Sequence, residues 1–131
     1  MKDFLCDNFQ NSVEEVLIRH KSILDILTKL QESSAKINRA VIKSVTSCGC
    51  IKINASNHEV PDDINYEDIK EYLNNHLQGE LCEVCREKII EEMGKNLFYI
   101  TALANNLDIN LYEVILEEHK KIEALGKFSL Y

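Results

Sequence analysis

Apolar positions along the chain form helical stripes separated by one loop-rich stretch. The first stripe runs from about Ser12 to Val45: Val13, Val16, His20, Ile23, Leu27, Leu30, Ser34, Ile37 and Val41 recur at heptad-like spacing, with no Gly or Pro between them. Ser12 and Glu15 read as a capping box at its start. One helix of about 33 residues would be about 50 Å long at a rise of 1.5 Å per residue. That is long for so small a chain, so a kink near Ser33-Ser34, or a partner along its length, is expected.

Thr46 to Pro61 breaks the pattern, with Ser47-Cys48-Gly49-Cys50 followed by a β-prone Ile51-Lys52-Ile53. Asn65 then reads as the N-cap of a short helix reaching about Leu77, with Tyr66, Ile69, Tyr72 and Leu73 inward and Gln78-Gly79 ending it. A third long stripe covers Glu80 to Asn105 through Leu81, Val84, Cys85, Ile89, Met93, Leu97, Ile100, Leu103 and Ala104. After a turn at Asn105-Asn106-Leu107-Asp108, Asn110 with Glu113 caps a last helix. It carries Leu111, Val114, Ile115, Ile122 and Leu125 inward and stops at Gly126. The expected fold is all-α. It is an antiparallel bundle of about four helices in one domain, residues 1–131, with a cysteine-containing loop between its first two helices.

Composition narrows the class. The chain is 45% hydrophobic and 28% charged with one Pro and four Gly, which suits a folded protein rather than a disordered one. No apolar run approaches the roughly 18 residues of a membrane span. Met1-Lys2-Asp3-Phe4-Leu5-Cys6-Asp7 lacks the basic and apolar regions of a signal peptide, so the expected address is the cytoplasm. Fifteen Lys+Arg against twenty-two Asp+Glu leave a net charge of −7, which argues against a general nucleic-acid binder. Lys120, Lys121 and Lys127 are too few to make a basic patch.

Five cysteines in a reducing compartment point to metal or redox chemistry rather than to a disulfide framework. Cys48-Gly49-Cys50 and Cys82-Glu83-Val84-Cys85 form two close pairs, the pattern that tetrahedral zinc requires. Gly49 permits the tight backbone between Cys48 and Cys50. Cys82 and Cys85 share one face of a first helical turn, whose free N–H groups favour thiolate. Four sulfurs would make a closed, structural site. Two other readings stay open: ordinary apolar packing, since cysteine buries readily, and a redox pair, although the βαβ setting of such pairs is absent. His58 and His76 flank the loop as substitute ligands. Cys6 has no near partner in sequence, His20 suits a core or interface, and His119 an exposed face.

The segment Glu91-Glu92-Met93-Gly94-Lys95, the apolar helix through Ala102-Leu103-Ala104, and Leu107-Asp108-Ile109-Asn110-Leu111-Tyr112-Glu113-Val114 together resemble a known family. They are similar to the C-terminal helix pair of MazG-like all-α nucleoside triphosphate pyrophosphohydrolases. The pattern there is E-E-x-G-D, a helix ending A-L-A, then I-D-L-x-E-V. The whole chain looks like the short clostridial MazG-like proteins with paired cysteines. The resemblance implies two carboxylate pairs, E-x-x-E and E-x-x-D, holding magnesium against substrate phosphates. Glu92 falls on the glutamate of the second pair, but Lys95 stands where its aspartate belongs. Glu80-Leu81-Cys82-Glu83 spells the first pair, yet Glu80 lies about 18 Å from Glu92 along an unbroken helix. Glu32 has Ala35 three residues on. No complete magnesium set is found.

The reading that follows is a non-catalytic or weakly catalytic nucleotide- or protein-binding module stabilised by zinc. Its rivals are an active, magnesium-dependent pyrophosphohydrolase and a thiol redox sensor. Relatives of this kind are usually dimers, so a homodimer using the first helix is expected.

Overall fold

The computed structural model describes residues 4–126. Residues 1–3 and 127–131, Lys127 among them, and the Tyr66 side chain lie outside the described residues. Four long helices, α1 (Phe4–Val16), α2 (Ile23–Lys43), α3 (Glu83–Asn106) and α4 (Leu111–Leu125), make up most of the chain. Between α2 and α3 lie a π-helical turn (Ser44–Cys48), strand β1 (Ile51–Ile53), a 3-10 helix (Tyr66–Tyr72) and strand β2 (Leu77–Gly79). The helices fall where the apolar stripes predict them, but the stripes do not all face inward: on α4 only Leu111 is buried, and Val114, Ile115, Ile122 and Leu125, expected inside, stay about half exposed.

The first stripe is two helices, not one. Leu17–Ser22 is non-helical, and Ser22 opens α2 as an extended N-cap whose hydroxyl accepts from the Leu24 N–H at 3.2 Å. Ser12 lies inside α1 and opens nothing. At Ser33-Ser34, where a kink was expected, α2 continues. Ser33 is buried, and the Asn96 side-chain amide of α3 donates to both serine hydroxyls at 3.0 Å. Small side chains let the two helices approach there.

The expected helix to Leu77 is a shorter 3-10 helix that ends at Tyr72; a loop replaces its last turn, and β2 begins at Leu77. Asn74 Oδ1 accepts from the His76 N–H at 2.7 Å, and Asn75 Oδ1 from the Leu77 N–H at 3.0 Å. Such local bonds compete with helix, and His76 itself takes a left-handed φ of 61°. Released from the helix, Leu77–Gly79 pairs antiparallel with Ile51–Ile53. The cysteine loop therefore follows the second helix rather than the first.

Antiparallel packing of α2 on α3 is the axis of the fold. A small core of Val13, Ile26 and Ala102, flanked by Phe9, Leu17, Phe98 and Leu103, joins α1 to this pair. Gln10 fastens α1 to the α3–α4 turn. Its side-chain amide donates to the Ile109 carbonyl at 2.7 Å, and its oxygen accepts from the Leu111 N–H at 2.9 Å. Gln10→Ala strands the buried Leu111 N–H and takes the donor from the part-buried Ile109 carbonyl. It should cost about 2–3 kcal/mol of stability in urea denaturation, since a buried unpaired group costs about 1–3 kcal/mol.

Candidate metal centre

Chain geometry, not proximity in sequence, assembles the cysteines. The π-helical turn ends at Gly49, whose left-handed φ of 79° reverses the chain while its N–H donates to the Ser44 carbonyl at 2.9 Å. Cys48 and Cys50 flank that reversal. The β1–β2 register aligns Ile51 with Gly79, which returns the chain to Cys50 just before α3 begins. Gly79 has φ +86°, and a Cβ there would meet the Cys50 carbonyl oxygen at 2.7 Å. Only glycine fits this crossing. Three residues on, Cys82 is the N-cap of α3, and its sulfur accepts from the Cys85 N–H at 3.4 Å.

The four sulfurs of Cys48, Cys50, Cys82 and Cys85 all lie within 4.8 Å of one another. Cys48 Sγ and Cys82 Sγ are 3.8 Å apart. A tetrahedron with metal–sulfur bonds near 2.3 Å has edges of about 3.8 Å, whereas a disulfide needs about 2 Å. The spacing suits four ligands around one ion. The Cys85 N–H, then the Cys85 thiol, hold Cys82 down at about 7. For Cys85 a lowering contact with Ser44 is outweighed by the Cys82 sulfur, burial and the other two sulfurs, which push it up to about 12. Four thiolates so close together repel one another, and a cation is what lets all four lose their protons. The donor set fits a soft or borderline divalent ion.

Other candidates fall outside this group. His58 and His76 stack on each other with ring centroids 4.9 Å apart in the hairpin loop, and neither joins the sulfurs. Cys6 is on α1. His20 is half-exposed with Asp25 3.8 Å away, rather than in the core, and His119 pairs with Glu123 on the surface.

The carboxylates do not converge. Among the described residues the four cysteines are the one group of three or more His, Cys, Asp and Glu placed to share an ion. α3 is unbroken, so Glu83 and Glu92 stand about 13.5 Å apart along its axis, and Glu80 precedes it on the surface. Glu92 is only 3% exposed, yet lysines neutralise it: Lys88 Nζ at 3.1 Å and Lys95 Nζ at 3.6 Å. The Lys88 ammonium holds its carboxyl below the usual carboxylate range against the effect of burial, with help from Lys95. Lys95 also reaches Glu91 at 3.3 Å, and Glu32 is taken by Lys29 and Lys36.

Beside the sulfurs, α2, the π-helical turn and α3 border a partly open cavity of about 480 Å³. Cys48 and Cys85 line one side. Lys36, Arg39 and Lys43 of α2 and Lys88 and Lys95 of α3 line much of the rest, between the small side chains of Ala40, Ser44, Ser47 and Val84, with Glu92 the one acidic residue. Of these five cations only Lys95 stands out in the sequence, through the family pattern. The signal for the α2 group was the 3-then-4 spacing of Lys36, Arg39 and Lys43, which sets three cations on one face of α2. No helix is long and apolar enough to cross a membrane among the described residues. Compared with family models, curated proteins and solved structures, the chain matches none of them.

Proposed function

We propose that the chain is a MazG-like helical binding module, homodimeric and cytoplasmic, whose four cysteines hold one structural zinc ion and whose magnesium site is degraded. Its task in this reading is to bind a nucleotide or a protein partner, not to hydrolyse nucleoside triphosphates. The observation that carries the reading is the sulfur cluster, with all ligand atoms within 4.8 Å and one pair at the 3.8 Å edge of a tetrahedron. A four-thiolate centre leaves no open position for substrate, so the ion acts on the fold.

Against turnover stand the lysines. Magnesium needs oxygen ligands free of competing cations, and Glu92 already serves two ammonium groups. Lys95 occupies the position that the resemblance gives to an aspartate, so one ligand is missing and a fixed positive charge replaces it.

One preparation tests both halves. Protein purified without added metal should contain about one zinc per chain by elemental analysis. The same sample, given magnesium and nucleoside triphosphates, should release pyrophosphate far more slowly than about 1 per second, the low end of ordinary enzyme rates. Folded, metal-free protein would overturn the zinc centre, and turnover at 1 per second or faster would overturn the degraded site.

A further inference from the structure

We infer that the cavity between α2 and α3 is a binding site for a small, multiply charged anion of the phosphoryl class, gripped by Lys36, Arg39, Lys43, Lys88 and Lys95. This rests on the binding-module reading above and names the ligand chemistry for it.

The sign of the cavity is the first argument. Acidic residues outnumber basic ones in the chain, twenty-two to fifteen. Yet five of the fifteen cations and one of the twenty-two acids line this single space. Glutamates offset three of them, but Arg39 and Lys43 make no ion pair among the described residues and repel one another, and low-dielectric walls strengthen their field. A bound anion relieves that repulsion, which a neutral ligand or water cannot do to the same degree.

Two of the cations are free to act. Arg39 and Lys43 lie one helical turn apart on α2 and make no ion pair among the described residues. The other three are held in place by glutamates: Lys36 by Glu32 at 3.0 Å, Lys88 by Glu92 at 3.1 Å, and Lys95 by Glu91 at 3.3 Å. Glu92, buried in the wall, anchors the two lysines of α3. Guanidinium grips phosphoryl oxygens through two parallel N–H bonds, and ammonium groups serve as point charges around it.

Size and shape select a small ligand. A volume of about 480 Å³ falls in the range of small-molecule sites. It accepts a chain of two or three phosphoryl groups, whereas a nucleic-acid duplex presents its phosphates on a convex surface. The cations also exceed what the cysteines need. A zinc tetrathiolate carries two negative charges, and Lys36 and Lys95 extend past it to line the neighbouring cavity at Phe98 and Tyr99.

The test is calorimetric titration of the 131-residue chain, metal-loaded as purified, with inorganic tripolyphosphate in magnesium-free buffer. Saturable binding is expected, weakening as salt is raised. Arg39→Ala/Lys43→Ala should weaken it at least tenfold, and Arg39→Gln/Lys43→Gln should do the same if the alanine variant folds poorly. Lys120→Ala/Lys121→Ala on α4 should leave it unchanged. Absence of binding up to millimolar probe, or equal binding by the Arg39 and Lys43 variants, would overturn the site. So would tight binding of a single-stranded RNA oligomer that tripolyphosphate fails to displace. Zinc content, measured on each variant, fails separately: a metal-loaded protein that ignores tripolyphosphate defeats this inference alone, and a metal-free one defeats the zinc centre.

Discussion

Stripping the metal with a strong chelator should lower the melting temperature by at least about 10 °C and dissolve the β1–β2 hairpin. An ion that binds only the folded state stabilises it in proportion to the logarithm of its concentration over Kd, and at a thousandfold excess this is large against ordinary domain stability. At this chain length each kcal/mol shifts the melting temperature by several degrees. The hairpin has little else to hold it. Each strand is three residues long, and a lone two-stranded ribbon is marginal in water. Ile51 is the one buried residue of β1, and β2 has none. Cys82→Ser should reproduce the chelator effect by removing a ligand. Gly79→Ala should reproduce it without touching one, because the new Cβ would collide with the Cys50 carbonyl at 2.7 Å and the φ of +86° is strained for alanine. Both variants should lose zinc, while Cys6→Ser should keep it. A melting curve that is the same with and without chelator would defeat the prediction.

How far the site was legible depended on the range of the forces that build it. The cysteine pairs could be read because metal-ligand spacing is local: Cys48-Gly49-Cys50 needs a reversal, and Cys82 with Cys85 needs only the first turn of a helix. What brings the pairs together was hidden. Leu77–Gly79 carries one apolar residue and resembles a strand only when Ile51–Ile53 lies beside it. The break at Leu17–Ser22 was hidden for another reason. Apolar spacing continues through it, and no Gly or Pro marks it. The fourth helix was readable nearly to the residue, because Asn110 accepts from the Glu113 N–H and Gly126 ends α4 as cap logic requires, whereas the third, expected from Glu80, starts at Glu83 behind its Cys82 cap. The cationic cavity was the least legible part. Lys36, Arg39 and Lys43 look like any solvated helical face until α3 sets Lys88 and Lys95 opposite them.

Replacing Leu97 and Met93 with glutamate should convert a homodimer into monomers. The described residues bury only seven apolar side chains and leave twenty-three large ones exposed. Of the stripe that suggested an interface along the first helix, Val13 is buried against Ile26 and Ala102, while Val16, Ile23 and Leu27 stay 61%, 38% and 47% exposed. The uncovered surface includes another helix. On α3, Ile90, Met93, Leu97 and Ile100 follow a 3-4-3 spacing at 55%, 48%, 51% and 38% exposure, the spacing of a helix-pairing seam. Leu107 continues it one heptad later at 51%. Monomeric proteins rarely leave so much apolar surface in water, and a two-fold axis covers the same patch on both copies. Sedimentation of the wild-type protein at tens of micromolar should give twice the chain mass. Two buried glutamates at the centre of the seam should cost at least about 2–4 kcal/mol, the range of interface hot spots. That is roughly thirtyfold or more in dimer affinity. Glutamate in place of Val114 and Ile115 on α4 measures whether that helix joins the interface. A wild-type protein that sediments as a monomer would leave the α3 seam without an occupant and would defeat the proposed dimer.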